Sequence, residues 1–136
     1  ITFDTTVDFD DNEVSKPNLK DYSETVKDHG TQVGVTFNFA DGNVQEVTGT
    51  EATSSTPTYG VSFSNAPAAG TAGSMTVIFK SGGLMTGSSG FWGGHNYKWP
   101  GDVEPPLGTT GTDIVSFLTT DGGTTIYGFV GGINFS

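Results

Sequence analysis

The sequence predicts an all-β fold: an antiparallel β-sandwich of jelly-roll-like type with about seven to eight strands. Three observations lead to this prediction. Apolar and polar residues alternate with period two in several short segments, turn residues separate these segments, and the β-branched residue Thr occurs 21 times. A length of 136 residues suits one domain, so we expect residues 1–136 to form a single sandwich. The start at Ile1 fits either a processed protein or a segment of a longer chain.

In the first half, period-two alternation predicts a strand over residues 1–9 with one wet face. Residues 31–39 alternate in the same way, and residues 44–50 are expected to form the returning strand. Between them, Ala40-Asp41-Gly42-Asn43 supplies the turn residues of a tight hairpin. Residues 19–27 fit one face of a helix and one side of a strand equally well, so this segment stays open as a strand or a short helix.

In the second half, residues 58–64 alternate until Pro67 ends the strand, because proline cannot donate to a ladder. Residues 75–79 are apolar on both faces, which predicts a mid-sheet strand. Residues 113–119 and 124–130 flank Thr120-Asp121-Gly122-Gly123 and form the clearest predicted hairpin.

Charge and composition exclude several classes of partner. Five Lys and no Arg stand against fifteen acids, and the net charge of −10 opposes binding to nucleic acid or anionic membranes. Without Arg the chain lacks the bidentate fork for phosphate, and without Cys it has no disulfide or thiolate zinc site. No apolar run is long enough for a transmembrane helix. We therefore expect no cofactor, no nucleic acid and no membrane contact.

The acidic segment of residues 8–13 is the one metal candidate, with Asp8, Asp10 and Asp11 as weak Ca²⁺ ligands. It fails the helix-loop-helix calcium pattern because Glu13 stands where a glycine is required. A solvated strand end is the favoured interpretation, so no metal is expected.

Catalytic patterns are weak throughout the chain. Gly87-Ser88-Ser89-Gly90 does not form the G-x-S-x-G elbow of a serine hydrolase, and no carboxylate pair stands out as a glycosidase site. The sequence therefore predicts a protein that is not an enzyme and carries no catalytic residues.

Residues 81–108 form a long Gly-rich and Pro-containing stretch, either an irregular strand or a functional loop. Within it, both Trp residues lie close to a His and a Tyr. Rings that stack on sugars beside short polar groups are typical of glycan sites, so the candidates are Trp92, His95, Asn96 and Tyr97. The alternative is that these rings fill the end of a thin core. It is favoured slightly, because large aromatics are mostly buried.

From residue 63 onward the chain contains a set of short motifs whose order and spacing are moderately specific. They are Phe63-Ser64-Asn65-Ala66-Pro67, residues 70–77, Lys98-Trp99-Pro100-Gly101, Pro106-Leu107, residues 113–117 and residues 120–129. This set resembles a module of tail-fibre and other structural proteins of tailed bacteriophages. Residues 16–26 resemble, more weakly, the entry strand of the same family. The chain departs from the pattern at Asp102, where a second Gly is more usual, and in a Gly-rich insertion over residues 84–95.

The resemblance implies a β-rich virion structural protein, commonly homotrimeric, with no catalytic residues to transfer. It implies that Trp99-Pro100-Gly101 and Asp121-Gly122-Gly123 are shared structural turns. A thin core with open sheet edges also favours a homo-oligomer, so we expect a trimer.

The leading hypothesis is a tail-fibre or tail-associated module on the virion exterior that presents its aromatic, Gly-rich loop to a host-surface glycan. Its other partners would be virion proteins. The first alternative is a capsid decoration (cement) protein that uses residues 15–27 as a clasp. The second is a free carbohydrate-binding module.

Overall fold

The computed structural model describes Phe9 and residues 12–51, 60–87 and 91–136. Within these residues the chain forms eight strands and three short 3₁₀ turns, and the strands lie in two sheets. The all-β class and the predicted number of strands are confirmed. The strands are β1 (Val26–Gln32), β2 (Val35–Asn38), β3 (Val44–Gly49), β4 (Val61–Ser64), β5 (Gly73–Lys80), β6 (Asn96–Lys98), β7 (Thr112–Thr119) and β8 (Thr125–Phe135).

The first five strands pass twice around the core. β1, β3 and β5 are parallel neighbours in a six-stranded sheet, whereas β2 and β4 are parallel partners in a two-stranded sheet. The chain therefore alternates between the sheets, and each coil stacks on the one before. Phe37 of β2 pairs with Phe63 of β4, which brings two large apolar side chains to the same face of the small sheet.

The last strands complete the large sheet in the order β1-β3-β5-β7-β8-β6. β7 is antiparallel to both β5 and β8, and β6 is parallel to β8. The predicted hairpin between β7 and β8 is confirmed. Gly122 and Gly123 in its turn have φ of 73° and 85°, values that glycine adopts without steric cost. β5 lies inside the sheet, as its apolar pattern predicts.

Strand direction differs from the expected sandwich. Only the β5–β7 and β7–β8 pairs are antiparallel, and the other four pairings are parallel, so a jelly-roll-like antiparallel connectivity does not describe the chain. The predicted hairpin at residues 40–43 is wrong, because these residues carry the chain from the small sheet to the large one. Residues 31–39 likewise divide between β1 and β2. Turn residues redirect the chain in either case, so local sequence does not distinguish a hairpin from a crossover.

The core lies between the two sheets. Alternate residues of β3, β5 and β7 point into it, and the ring of Phe37 contacts Phe63 and Phe79 there. The buried apolar residues are Val35, Phe37, Val47, Val61, Phe63, Met75, Val77, Phe79, Met85, Phe91, Val115, Phe117 and Ile126. Along β2 and β4 the buried residues are the alternating apolar ones, as the sequence predicts.

Two fully buried polar side chains tie the ends of the strands to loops. Gln45 donates to the carbonyls of Asn38 and Gly42 and contacts the ring of His29 through its amide oxygen at 2.8 Å. Asp113 accepts hydrogen bonds of 2.7 Å from the N–H groups of Gly108 and Asn134. These bonds satisfy buried polar atoms that would otherwise oppose folding.

The N-terminal part of the chain lies outside the sheets. Residues 12–25 are exposed and form neither helix nor strand, so of the segment 19–27, expected to be a strand or a short helix, only Val26 and Lys27 are in a strand. The candidate calcium ligands Asp8, Asp10 and Asp11 lie outside the described residues, as does the strand predicted for residues 1–9 except for Phe9, which is exposed.

Within the described residues, neither a metal-binding cluster nor a membrane-spanning helix is present. No group of three or more His, Asp or Glu side chains within them is placed to hold a metal ion. No helix among them is long and apolar enough to cross a membrane.

The β7–β8 turn depends on Asp121. Its carboxylate accepts from the backbone N–H of Thr125 at 2.9 Å and from the hydroxyl of Thr119 at 3.1 Å. Hydrogen bonds from Thr125 and Thr119 lower the pKa of Asp121 below its ordinary value. Because the pKa is lower in the folded state, the carboxylate stabilises the fold above the usual Asp pKa of about 3.9. This contribution is lost as the pH falls through the lowered value.

We predict that Asp121→Asn lowers Tm by a few degrees at neutral pH and that the difference from the wild type shrinks as the pH falls below the usual Asp pKa of about 3.9. Thermal unfolding of both proteins across this range measures the effect. Glu104→Gln, at an exposed loop carboxylate, is the matched control. An Asp121→Asn difference that stays constant with pH would contradict the assignment.

Candidate functional site

The aromatic segment, defined as residues 91–99, lies where the small sheet ends. Two strands of four residues cannot cover a six-stranded sheet, and the aromatic segment fills much of the remaining space. Phe91 is buried in the core, while Trp92, Tyr97 and Trp99 are partly buried and pack against it. Two of the candidate glycan residues, Trp92 and Tyr97, therefore belong to the layer that closes the core.

The outer edge of β4 is bonded by this segment. The N–H of Val61 donates to the Phe91 carbonyl at 2.7 Å, and the N–H of Phe63 donates to Nε2 of His95 at 2.9 Å. The hydroxyl of Tyr97 donates to the Val61 carbonyl at 2.6 Å. Side chains and one loop carbonyl thus occupy positions that a further strand would fill, and they satisfy backbone groups that would be costly to leave unpaired.

His95 also holds the β7–β8 turn. Nε2 accepts from Phe63, so Nδ1 carries the proton and donates to the Gly123 carbonyl at 2.6 Å. The hydrogen-bond network thereby assigns a neutral ring with its proton on Nδ1. Both ring nitrogens are used, and the imidazole connects the small sheet to the large one.

Tyr97 is fixed in the same way. Burial raises the pKa of its hydroxyl, so the group stays protonated and remains a hydrogen-bond donor. Its ring stacks parallel to Trp99 at 6.1 Å and contacts His95 edge-on at 5.9 Å. Tyr97 is therefore a donor to β4 and part of the aromatic packing at once.

Trp92 is the centre of the aromatic cluster. Its ring lies 4.8 Å from those of both Phe91 and Trp99 and 5.5 Å from that of Tyr97, mostly edge to face. It also contacts two core rings, Phe79 and Phe117. Edge-to-face pairs add to the energy of burial, so Trp92 contributes to packing through five neighbours.

The Trp99-Pro100-Gly101 turn packs on β8. A Cβ at Gly128 would lie 1.9 Å from the Trp99 ring, so this strand position requires glycine for the ring to approach. Gly101 and Asp102 have φ of 64° and 62°, in the left-handed region that favours glycine. Asp102 is therefore a non-glycine residue at a position where a second Gly would relieve strain.

The structure separates Asn96 from the other three candidates. Trp92, His95 and Tyr97 come together in the packed cluster, whereas Asn96 of β6 is exposed. Sequence reasoning missed the hydrogen-bond partners Val61, Phe63 and Gly123, because each lies about thirty residues away from the side chain that it bonds to. No local pattern signals such contacts.

Comparison of the chain with protein-family models, with curated proteins and with solved structures finds no match.

We predict that His95→Ala lowers the free energy of unfolding by about 1–3 kcal/mol, because it leaves the Phe63 N–H and the Gly123 carbonyl without their partner. Its neighbour Asn96→Ala is the matched control and should change stability by no more than about 0.5 kcal/mol. Urea unfolding of the three proteins measures both effects. Equal stability of the two variants would refute the bridging role of His95.

Proposed function

We propose that this chain is a structural module of a tailed-phage virion, in a tail fibre or a tail-associated part, that works by rigid attachment. The observation that supports the proposal is the use of its polar side chains. The polar side chains of His95, Tyr97, Gln45 and Asp113 all bond to backbone groups of strands, turns or loops. The hydrogen bonds of these residues therefore fix the shape of the protein, and a rigid structural part needs a fixed shape.

The resemblance of the motifs from residue 63 onward to phage structural proteins supports a placement on a virion, and the fold offers a physical reason for it. Stacked coils give a continuous ladder of backbone hydrogen bonds, and the β7–β8 hairpin extends the same sheet. A fold of this kind resists local opening, because neighbouring strands share one core.

Antibody labelling of intact particles tests the proposal. Antibodies raised against the purified chain should decorate the tail in electron micrographs of a phage that encodes it. Decoration of the shell would instead support the capsid-decoration alternative. Unlabelled particles, with label only in the unassembled lysate fraction, would contradict a virion role. Antibodies against a known shell protein of the same phage provide the control for particle integrity.

A second candidate function is host-glycan attachment at the edge of the aromatic segment. It is favoured by one observation: Asn96 is exposed and Trp92 only partly buried, so amide and ring surface reach solvent beside Gly93 and Gly94. Amide hydrogen bonds and aromatic stacking suit sugar hydroxyls and ring faces. The contact would be weak for one copy and strengthened by several copies on a particle.

A glycan array with two variants tests this second candidate. Trp92→Ala should destabilise the fold by about 2–4 kcal/mol, since it removes a partly buried ring with five neighbours. Asn96→Ala should keep the wild-type Tm and lose glycan binding, which makes it the informative variant. A wild-type protein that binds no glycan, or an Asn96→Ala variant that binds as well as the wild type, would refute the site.

A further inference from the structure

The large sheet has one face turned away from the core, called here the outer face. Strand pairing places Leu118 beside Tyr127 and Ser116 beside Phe129 on this face. Tyr127 and Phe129 are 43% and 49% exposed, although both lie well inside β8. Aromatic side chains this exposed on a sheet face are characteristic of an interaction surface.

The outer face has a raised half and a recessed half. Leu118, Tyr127 and Phe129 form a ridge on β7 and β8. On the other half of the same face, over β3 and β5, short side chains leave a hollow of about 320 Å³. Its lining includes Ser74, Thr76 and Ser116, together with Val44 and Glu24. Val44, Thr76, Ser116 and Phe129 follow one another across the sheet in a single row. Ridge and hollow therefore lie at the same level along the strands.

Charges on this face are sparse and complementary. Lys98 of β6 pairs with Tyr127 and marks one edge, and Glu24 at the rim of the hollow marks the opposite edge. Lys98 forms no ion pair with any described residue. Further along the strands, Lys80 forms an ion pair with Glu46 at 2.9 Å, and Asp28 of β1 lies beside Glu46 on the same face. On a chain with a net charge of −10, this is a surface that identical copies can share without strong repulsion.

We propose that the outer face binds a second copy of this chain, with the two sheets face to face about a two-fold axis parallel to the strands, so that the oligomer is a dimer and not the trimer expected from the sequence. Such an axis places the β6 edge of one copy opposite the β1 edge of the other. Positions at the same level along the strands then face each other across the contact. The axis therefore places the ridge of each copy over the hollow of the other, and Lys98 of each opposite Glu24 of the other. A two-fold contact is self-complementary, and the ridge and hollow on one face meet that requirement.

The available area suits a reversible dimer. Six strands at a spacing of about 4.8 Å, with an average length of about seven residues, give a face of roughly 600 Å² on each copy. The total of roughly 1,200 Å² is at the lower end of specific interfaces. The inference rests on this face alone and holds whether the chain lies on a tail or on a shell.

Sedimentation velocity of the full chain tests the proposal over a range of about 1–100 µM. The wild type should be dimeric, and Phe129→Asp should raise the dimer Kd by about 100-fold, because it buries a charge in an apolar contact near Glu24. Val103→Asp is the matched control: it introduces the same charge at a loop residue that is 67% exposed, and it should change Kd by less than about 3-fold.

A charge exchange tests the orientation of the two copies. Lys98→Glu and Glu24→Lys should each raise Kd by about 10-fold, and the double variant should return it to within about 3-fold of the wild type. Circular dichroism checks that each variant keeps its fold. A wild type that stays monomeric, a trimer, equal effects of Phe129→Asp and Val103→Asp, or a double variant weaker than both single ones would overturn the proposal.

Discussion

The hydrogen bonding of the β4 edge is the constraint on which the rest of the structure depends. Among the described residues, wrapping the first five strands into coils places only two short strands on one side of the core. The exposed edge of β4 and the uncovered part of the large sheet both need partners, since buried backbone groups and apolar surface must be covered. Phe91, His95 and Tyr97 meet the first need, and the aromatic rings around Trp92 meet the second. The aromatic segment is thereby a structural replacement for missing strands.

The same constraint explains why one segment serves packing and surface together. Its buried atoms are fixed by contacts to β4, β7 and β8, and its turn at Trp99-Pro100-Gly101 rests on Gly128. A segment held in this way presents its exposed side, including Asn96, with little conformational freedom. Preorganisation of that kind lowers the entropic cost of binding. The same contacts thus make the core rigid and fix the exposed side of the aromatic segment.

The sequence predicts the strands well and their arrangement poorly, for physical reasons. Alternation identifies the buried side of β2 and β4, because period two is a local property. Parallel pairing of β1 with β3 depends on where the chain returns after leaving the sheet, and no local signal encodes that return. The turn at residues 40–43 shows the limit, since its Gly and Asn suit a hairpin and a crossover equally.

The candidate site shows the same limit. Clustering of Trp92, His95 and Tyr97 in sequence does predict that they lie together, and the slight preference for a packing role agrees with their contacts. The bond between His95 and Phe63 joins residues 32 positions apart, so only the folded chain reveals it. Asp113 is similar: a lone acid at a strand start gives no sign that it will be buried against the N–H groups of Gly108 and Asn134.

Native-state hydrogen exchange followed by NMR tests the central claim most directly. If the aromatic segment closes the core through β4, the amides of Val61 and Phe63 exchange only on global unfolding, with the same free energy as the amides of Val77 and Val115 in the large sheet. Fast exchange at Val61 and Phe63, while Val77 and Val115 stay protected, would contradict the account.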